Sequence, residues 1–393
     1  MIVQAKSSFT ADRTAGFVEA GDVRMLQGSG SASLMVEPPG RMVMPVCHVA
    51  NRREDEYRVH QPMYADPDGK FPSRLDFPAM MITKLENAFC LPHAPPILLS
   101  PRRIVTDFQI PWGHHSLAWF THTDGDAYDV NVDLDTERLE FALESAFYLD
   151  HALSTHYGHF IGDCLCRIYA LDVCRALFAD MPVLIADGAV SAFQAWFLQA
   201  AGVPARNIIK FKGLVHCRHL LLATQALGIQ RYTSPAAARL WGTLRDRGSV
   251  RDVSLPDRLY ISRRGVNHRI LVNEADVERV FARNGFAIIH PESLPVKLQV
   301  ALFANALLVA GPGGSGLFNL AFQGRMRSAF ILRWVEFLQL PEMLLSAERD
   351  CNLWFHLGHG VAPESLGAAG DSWAVDIARL ESDVSDWLRS NGV

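Results

Sequence analysis

The segment His156-Tyr157-Gly158-His159-Phe160, followed by Asp163 and Arg167, is unusually dense in polar groups for the entry to an apolar stretch. His159 and Asp163 stand four residues apart, so on a helix they share a face and can pair. An imidazole or carboxylate so placed is the kind of group that takes a proton from a sugar hydroxyl. The bland alternative is a helix cap with a satisfied histidine. A metal pair of His156 and His159 would need a third ligand to which the sequence does not point.

A second constellation is the run Gly311-Pro312-Gly313-Gly314-Ser315-Gly316, with Asn319 just beyond it. It follows an apolar run and opens a helical one, a junction where unpaired N–H groups and the helix dipole receive a phosphate. Glycines there let the backbone approach an anion with no side chain in the way. The same letters fit GxGxxG, a weak dinucleotide signal, and also a tight turn that binds nothing. Arg263 and Arg264 end an earlier strand, on the same edge as the glycine run if the sheet is parallel. A guanidinium there can hold a diphosphate by paired N–H bonds; the alternative is a solvated surface pair. Glu336 lies 20 residues past Gly316, where a dinucleotide enzyme keeps its ribose-binding acid. It serves the ribose of a nucleotide sugar equally well, or nothing. Three DxD triplets, Asp66-Pro67-Asp68, Asp124-Gly125-Asp126 and Asp133-Leu134-Asp135, have the chemistry to hold Mg²⁺ or Mn²⁺ against a diphosphate. In turn-prone surroundings they read as loop and cap residues, so no metal is expected.

These groups need elements to carry them. Residues 1–75, rich in Gly, Pro, Ser and charge, read as an irregular extension or short edge strands. AMMITKL, PPILLS, RRIVTDFQI and SLAWFTH then read as strands bounded by turn residues. The stretch from Leu143 to Phe178 spaces Phe160, Ile161, Leu165, Ile168, Leu171, Val173 and Leu177 as a helix with one buried face. Strand 182–187, helix 191–202 and helix 235–248 continue an alternation that favours a parallel sheet. A domain boundary is expected at 250. Beyond it, strands at 258–263, 286–291, 307–311 and 328–334 alternate with helices at 273–285, 295–306 and 316–324, the pattern of a doubly wound domain. The tail helix, with Trp373, Val375, Ile377, Leu380, Val384, Trp387 and Leu388 near one side, suits packing back across a domain interface.

At 393 residues the chain is too long for one ordinary core, which supports two domains, 1–250 and 251–393. A net charge of −5 gathers no polyanion, so nucleic acid is not an expected partner. Seven scattered cysteines with no CxxC pair argue against a disulfide framework and against structural zinc. They are read as reduced, mostly buried thiols. The start of the chain lacks a secretory pattern and no long apolar run appears, so a cytoplasmic protein is expected, at most in peripheral contact with the inner face of a membrane.

The run from Leu259 to Asn319, YISRRG…LVNEADVERVFARNGFAIIHPESLPVKLQVALFANALLVAGPGGSGLFNL, resembles the C-terminal half of the glycosyltransferase family 61 domain. That family has a strand ending in Ser-Arg-Arg, an Asn-Glu helix, a Pro-Glu-x-Leu turn and a Gly-Pro-His-Gly-Ala-Gly-Leu-x-Asn loop in this order. The segment His159-Phe160-x-x-Asp163 with Arg167 resembles the family's His-Phe/Trp-x-x-Asp segment. Two positions depart: Gly313 stands where the family usually has a histidine, and Arg333 about where it usually has a glutamate. The resemblance implies a GT-B-like α/β fold of two facing Rossmann-like domains with parallel sheets. It implies an inverting, metal-independent transfer of a hexosyl or pentosyl group from a nucleotide sugar, a UDP-sugar by expectation, to a glycan or lipid-linked glycan. Donor binding would fall to Arg263, Arg264, Gly311, Gly313, Gly314, Ser315, Gly316 and Asn319, with Glu336 on the ribose, and acceptor activation to His159 and Asp163. A homodimer is left open. So are two other readings: a nicotinamide- or flavin-dependent oxidoreductase using GxGxxG, and a non-catalytic, degenerate transferase.

Overall fold

A computed structural model describes residues 8–12, 32–59, 69–94, 96–99, 102–105, 120–122, 127–130, 134, 137–151, 153–178, 180–186, 191–229, 231–248, 250, 254–361 and 372–393. The aspartates of the three DxD triplets lie outside these residues. The chain divides into two compact units. The first comprises residues up to Gly40, Phe77–Gly228 and Pro235–Leu240, the second Arg41–Asp76, Ile229–Ser234 and Trp241–Val393. Each is α/β, and each contains parallel strands.

The first unit is built on one long sheet. Ile208–Phe211, Val183–Ala186, Phe141–Tyr148 and Val215–Ala223 lie side by side in parallel. Val183–Ala186 is buried along its whole length, as a continuous apolar run in a parallel sheet must be. Helix Ala192–Ala200 crosses between two of these strands. It starts on a capping box, with Ser191 N–H donating to Gln194 Oε1 at 2.8 Å, and stops at Gly202 with φ 83°. The expected parallel sheet is only half of this one. Val215–Ala223 pairs antiparallel with Met80–Cys90, and Ile97–Leu99 and Arg102–Val105 continue in hairpins. The connections between these last strands are too short for the crossover that a parallel pair requires.

The stretch expected as one helix from Leu143 onward also differs. Its first part is strand Phe141–Tyr148, and the helical part begins only at Tyr157. That part is a π turn over Phe160–Cys164, a 3₁₀ segment over Leu165–Ala170 and an α-helix over Leu171–Leu177. Residues 160–168 are buried all round rather than on one face, which leaves no polar side to reveal the break in period.

The second unit carries a parallel sheet in the order Ala287–Ile289, Arg258–Ile261, Leu308–Pro312, Ser328–Trp334, Asn352–Gly360. In chain order that is 2-1-3-4-5, a doubly wound arrangement whose direction of travel reverses between Arg258–Ile261 and Leu308–Pro312. Its far edge is closed by Val46–Val49, parallel to Asn352–Gly360, and by Trp373–Ala374. Residues 41–75, expected within the N-terminal extension, thus belong here. The division also falls within helix Pro235–Gly248 rather than after it. Trp241 sets its ring edge-on to Phe322 in the second unit's core, and that contact draws the end of the helix into this unit.

Helix Ile377–Ser390 corrects another expectation. Its apolar side packs on the second unit's own sheet, where Leu380, Val384, Trp387 and Leu388 join Tyr260, Phe281, Phe286 and Phe330 in one core. The indole N–H of Trp387 donates to Ser328 Oγ at 2.8 Å. An indole on an amphipathic helix must bury both its area and its N–H, and this sheet receives both.

Candidate functional site

In the first unit the polar cluster begins where strand Phe141–Tyr148 ends, the edge at which α/β sheets present their chemistry. Asp150 is fully buried. It accepts from His93 N–H at 2.6 Å and from Ser154 Oγ–H at 3.0 Å. Burial pushes its carboxyl up to about 6, against the pull of His93 beside it. His159 Nδ1 lies 2.7 Å from Asp163 Oδ2, and the His151 ring stacks over His159 at 6.4 Å. Gln225 donates to Asp163 Oδ1 at 3.3 Å, and buried Arg167 donates to the Asp163 carbonyl at 2.9 Å and to Ala223 O at 2.7 Å. Burial by itself raises the Asp163 carboxyl, but His151, His159 and Arg167 together outweigh it and hold Asp163 below the ordinary carboxylate range. With an ionised carboxylate on Nδ1, that nitrogen carries the proton, so the basic atom of His159 is Nε2. The expected i, i+4 pair is therefore made, although across the π turn.

In the second unit the loops after Arg258–Ile261 and Leu308–Pro312 flank the reversal point of the sheet. Gly311 is still strand, paired with Ile331. A Cβ there would meet Ile261 O at 2.6 Å, so the glycine permits close strand packing. The turn proper is Gly313-Gly314, and Ser315–Phe322 that follows is a 3₁₀ helix rather than an α-helix. Gly313 N–H donates to Leu332 O at 2.9 Å, so it is spent on the sheet. A side chain at 313 would run into the Arg333 guanidinium, and one at 314 into the Arg263 guanidinium.

Arg263 is anchored by its own backbone N–H to Glu274 Oε1 at 2.7 Å and by Nη2 to His268 O at 3.2 Å. Burial and the neighbouring Arg333 lower its pKa. Burial also pushes the Glu274 carboxyl up to about 7. A cleft of about 190 Å³ opens beside these groups, lined by Arg263, Arg264, His268, Arg269 and Glu274 among others. Arg333 is 4% exposed and pairs with fully buried Glu342 at 2.5 Å.

The structure brings Arg263, Gly313 and Gly314 together, with Ser315 and Gly316 half-buried on the same turn. It separates others from them. Arg264 turns to Glu278 at 3.0 Å. Asn319 is fully buried and ties Gly316 O at 3.1 Å to Gln299 Oε1 at 3.2 Å, holding the turn from beneath. Glu336 is exposed in a short turn after Ser328–Trp334. The glycine run follows the third strand of this sheet rather than the first, unlike a dinucleotide fingerprint. Sequence reasoning missed Asp150, His93 and Ser154. Their signal was a polar Asp-His directly after an apolar strand, hidden when that strand was read as helix. It also took Arg333 only as a departure, though a lone arginine inside SAFILRW signals a buried partner.

Among the described residues no group of three or more His, Cys, Asp or Glu side chains is arranged to hold a metal ion. No helix among them is long and apolar enough to cross a membrane. No curated protein matches the chain. Residues 157–329 match the family model described as Glycosyltransferase 61. The match contains His159, Asp163, Arg263 and the Gly313-Gly314 turn. Over those residues, fewer than half of its 393, the chain is similar to glycosyltransferase family 61.

Proposed function

We propose that the protein is an inverting glycosyltransferase that moves a hexosyl or pentosyl unit from a nucleotide sugar, a UDP-sugar first among them, to a hydroxyl of a glycan or lipid-linked glycan. The observation that carries this is the Arg263 guanidinium lying against the Gly313-Gly314 turn at the reversal point of the sheet. A planar fork of donors over a side-chain-free turn suits a diphosphate, and the proposal assigns the leaving group's charge to it. His159 Nε2 takes the proton of the acceptor hydroxyl. The acceptor oxygen bonds to the anomeric carbon as the bond to the phosphate oxygen breaks, and the nucleoside diphosphate departs. Asp163 keeps His159 in the tautomer that exposes Nε2 and stabilises the imidazolium formed. Where this happens in the cell is proposed to be the cytoplasm, against the inner face of a membrane when the acceptor is lipid-linked.

The test is a thermal-shift screen against UDP, GDP, CMP and their sugars, with and without Mg²⁺ or Mn²⁺, with NAD and NADP alongside. A nucleotide and its sugar should stabilise the protein, and Arg263→Ala should weaken that binding roughly 10- to 100-fold. A response confined to NAD or NADP would replace this reading with the oxidoreductase one. For a donor so identified, His159→Ala should lower turnover about 10²- to 10⁴-fold with nucleotide affinity unchanged. Unaltered turnover would remove His159 from the chemistry.

A further inference from the structure

The glycine turn rests on a cation that the proposed function has not used. Arg333 rises from the end of strand Ser328–Trp334, which pairs in parallel with Leu308–Pro312, so its side chain stands directly beside the turn. Its guanidinium fills the space that any side chain at position 313 would need. Nη2 is committed to Glu342, whereas Nε is buried with no hydrogen-bond partner. An N–H of a charged group left without an acceptor inside a protein is costly. Arg263 adds a second guanidinium on the neighbouring glycine. Two cations therefore flank two consecutive glycines, and Glu342 is bonded to one of them. Gly313 itself is half-buried beside buried Gly314, so solvent reaches the turn at Gly313.

We propose that Arg333 is a second phosphate-binding residue, its Nε–H donating to a non-bridging oxygen of a diphosphate seated on the Gly313-Gly314 turn opposite Arg263. The same geometry accounts for both departures from the family pattern at once. With glycine at 313, the room a side chain would need is taken by a guanidinium reaching over from the next strand. The two positions then act as one unit, and neither is a sign of decay. This inference rests on the donor-site reading above and names a residue beyond it.

The experiment is calorimetric titration of the full chain with inorganic pyrophosphate, UDP and GDP. Arg333→Lys retains the ion pair with Glu342 but lacks the Nε–H, and Arg333→Met/Glu342→Leu replaces the buried pair with apolar groups of similar volume. Both should bind roughly 10- to 100-fold more weakly than wild type, with Arg263→Ala as the reference. If the Arg333→Lys protein binds as tightly as wild type while Arg263→Ala weakens binding, Arg333 is structural only and this inference is overturned, with the donor site intact. If Arg263→Ala also changes nothing, or wild type binds none of the three, the donor site itself is misassigned and both readings fall.

Discussion

Two buried acids set the pH behaviour expected of single residues. The Asp150 carboxyl is pushed from 3.8 up to about 6 in the folded chain. A raised carboxyl pKa means the folded state resists ionisation, so stability is greatest below 3.8 and is lost as pH rises through 6. Asp150→Asn keeps an acceptor for His93 N–H, lets its amide N–H donate to Ser154 Oγ instead, and removes that loss. Its melting temperature relative to wild type should rise more at pH 7.5 than at pH 4.5, and a gain equal at both would contradict the buried charge. Glu274, pushed from 4.5 up to about 7, accepts from Arg263 N–H and Tyr260 Oη–H and faces Glu278. An anion on Arg263 favours its protonated form. Pyrophosphate should therefore bind more tightly at pH 6 than at pH 8 beyond the change due to its own ionisation, and Glu274→Gln should abolish that excess in a titration series.

At the scale of elements, helix Ile377–Ser390 is held by a few specific side chains. Asp376 caps it through Arg379 N–H at 3.0 Å, and Asp383 pairs with buried His356 at 2.9 Å. Trp387 fills the core and bonds Ser328, which in turn donates to Asn352 O at 2.7 Å. Trp387→Ala should cost about 3–5 kcal/mol, measurable by denaturant unfolding; a loss under ~1 kcal/mol would mean the helix is dispensable. This helix was readable from its period, as was Pro235–Gly248 at both ends, because a half-buried helix displays 3.6-residue spacing. Strands Val183–Ala186 and Leu308–Pro312 were readable as short apolar runs between turn residues. The π turn at Phe160–Cys164 was not, since a segment buried on every side has no polar stripe to mark a change of period. The Arg333–Gly313 relation was equally hidden, because it joins neighbouring strands and no spacing along the chain encodes it.

For the whole molecule, the seven cysteines report on each unit. All are free, and every one except half-buried Cys47 is buried; burial pushes Cys166, Cys174 and Cys217 up to about 12. Native protein should alkylate slowly. Under rising denaturant with a short alkylation pulse, Cys90, Cys164, Cys166, Cys174 and Cys217 should become reactive together, as should Cys47 and Cys351, when sites are followed by mass spectrometry. Reactivity scattered within either set would mean that the corresponding unit does not unfold cooperatively. The pairing of Val46–Val49 with Asn352–Gly360 lay beyond sequence reading, because no local pattern names a partner so distant.

That pairing also constrains how the chain is made. Asn51 accepts from Leu357 N–H across 306 positions. At roughly 5–20 residues per second, a ribosome releases the first member of this ladder on the order of 15–60 s before the second exists. Strand Val46–Val49 must therefore wait, with its backbone groups unmatched and open to unwanted partners, until its distant partner strand has been made. Any recombinant fragment that begins at residue 251 lacks that strand and leaves the ladder incomplete permanently.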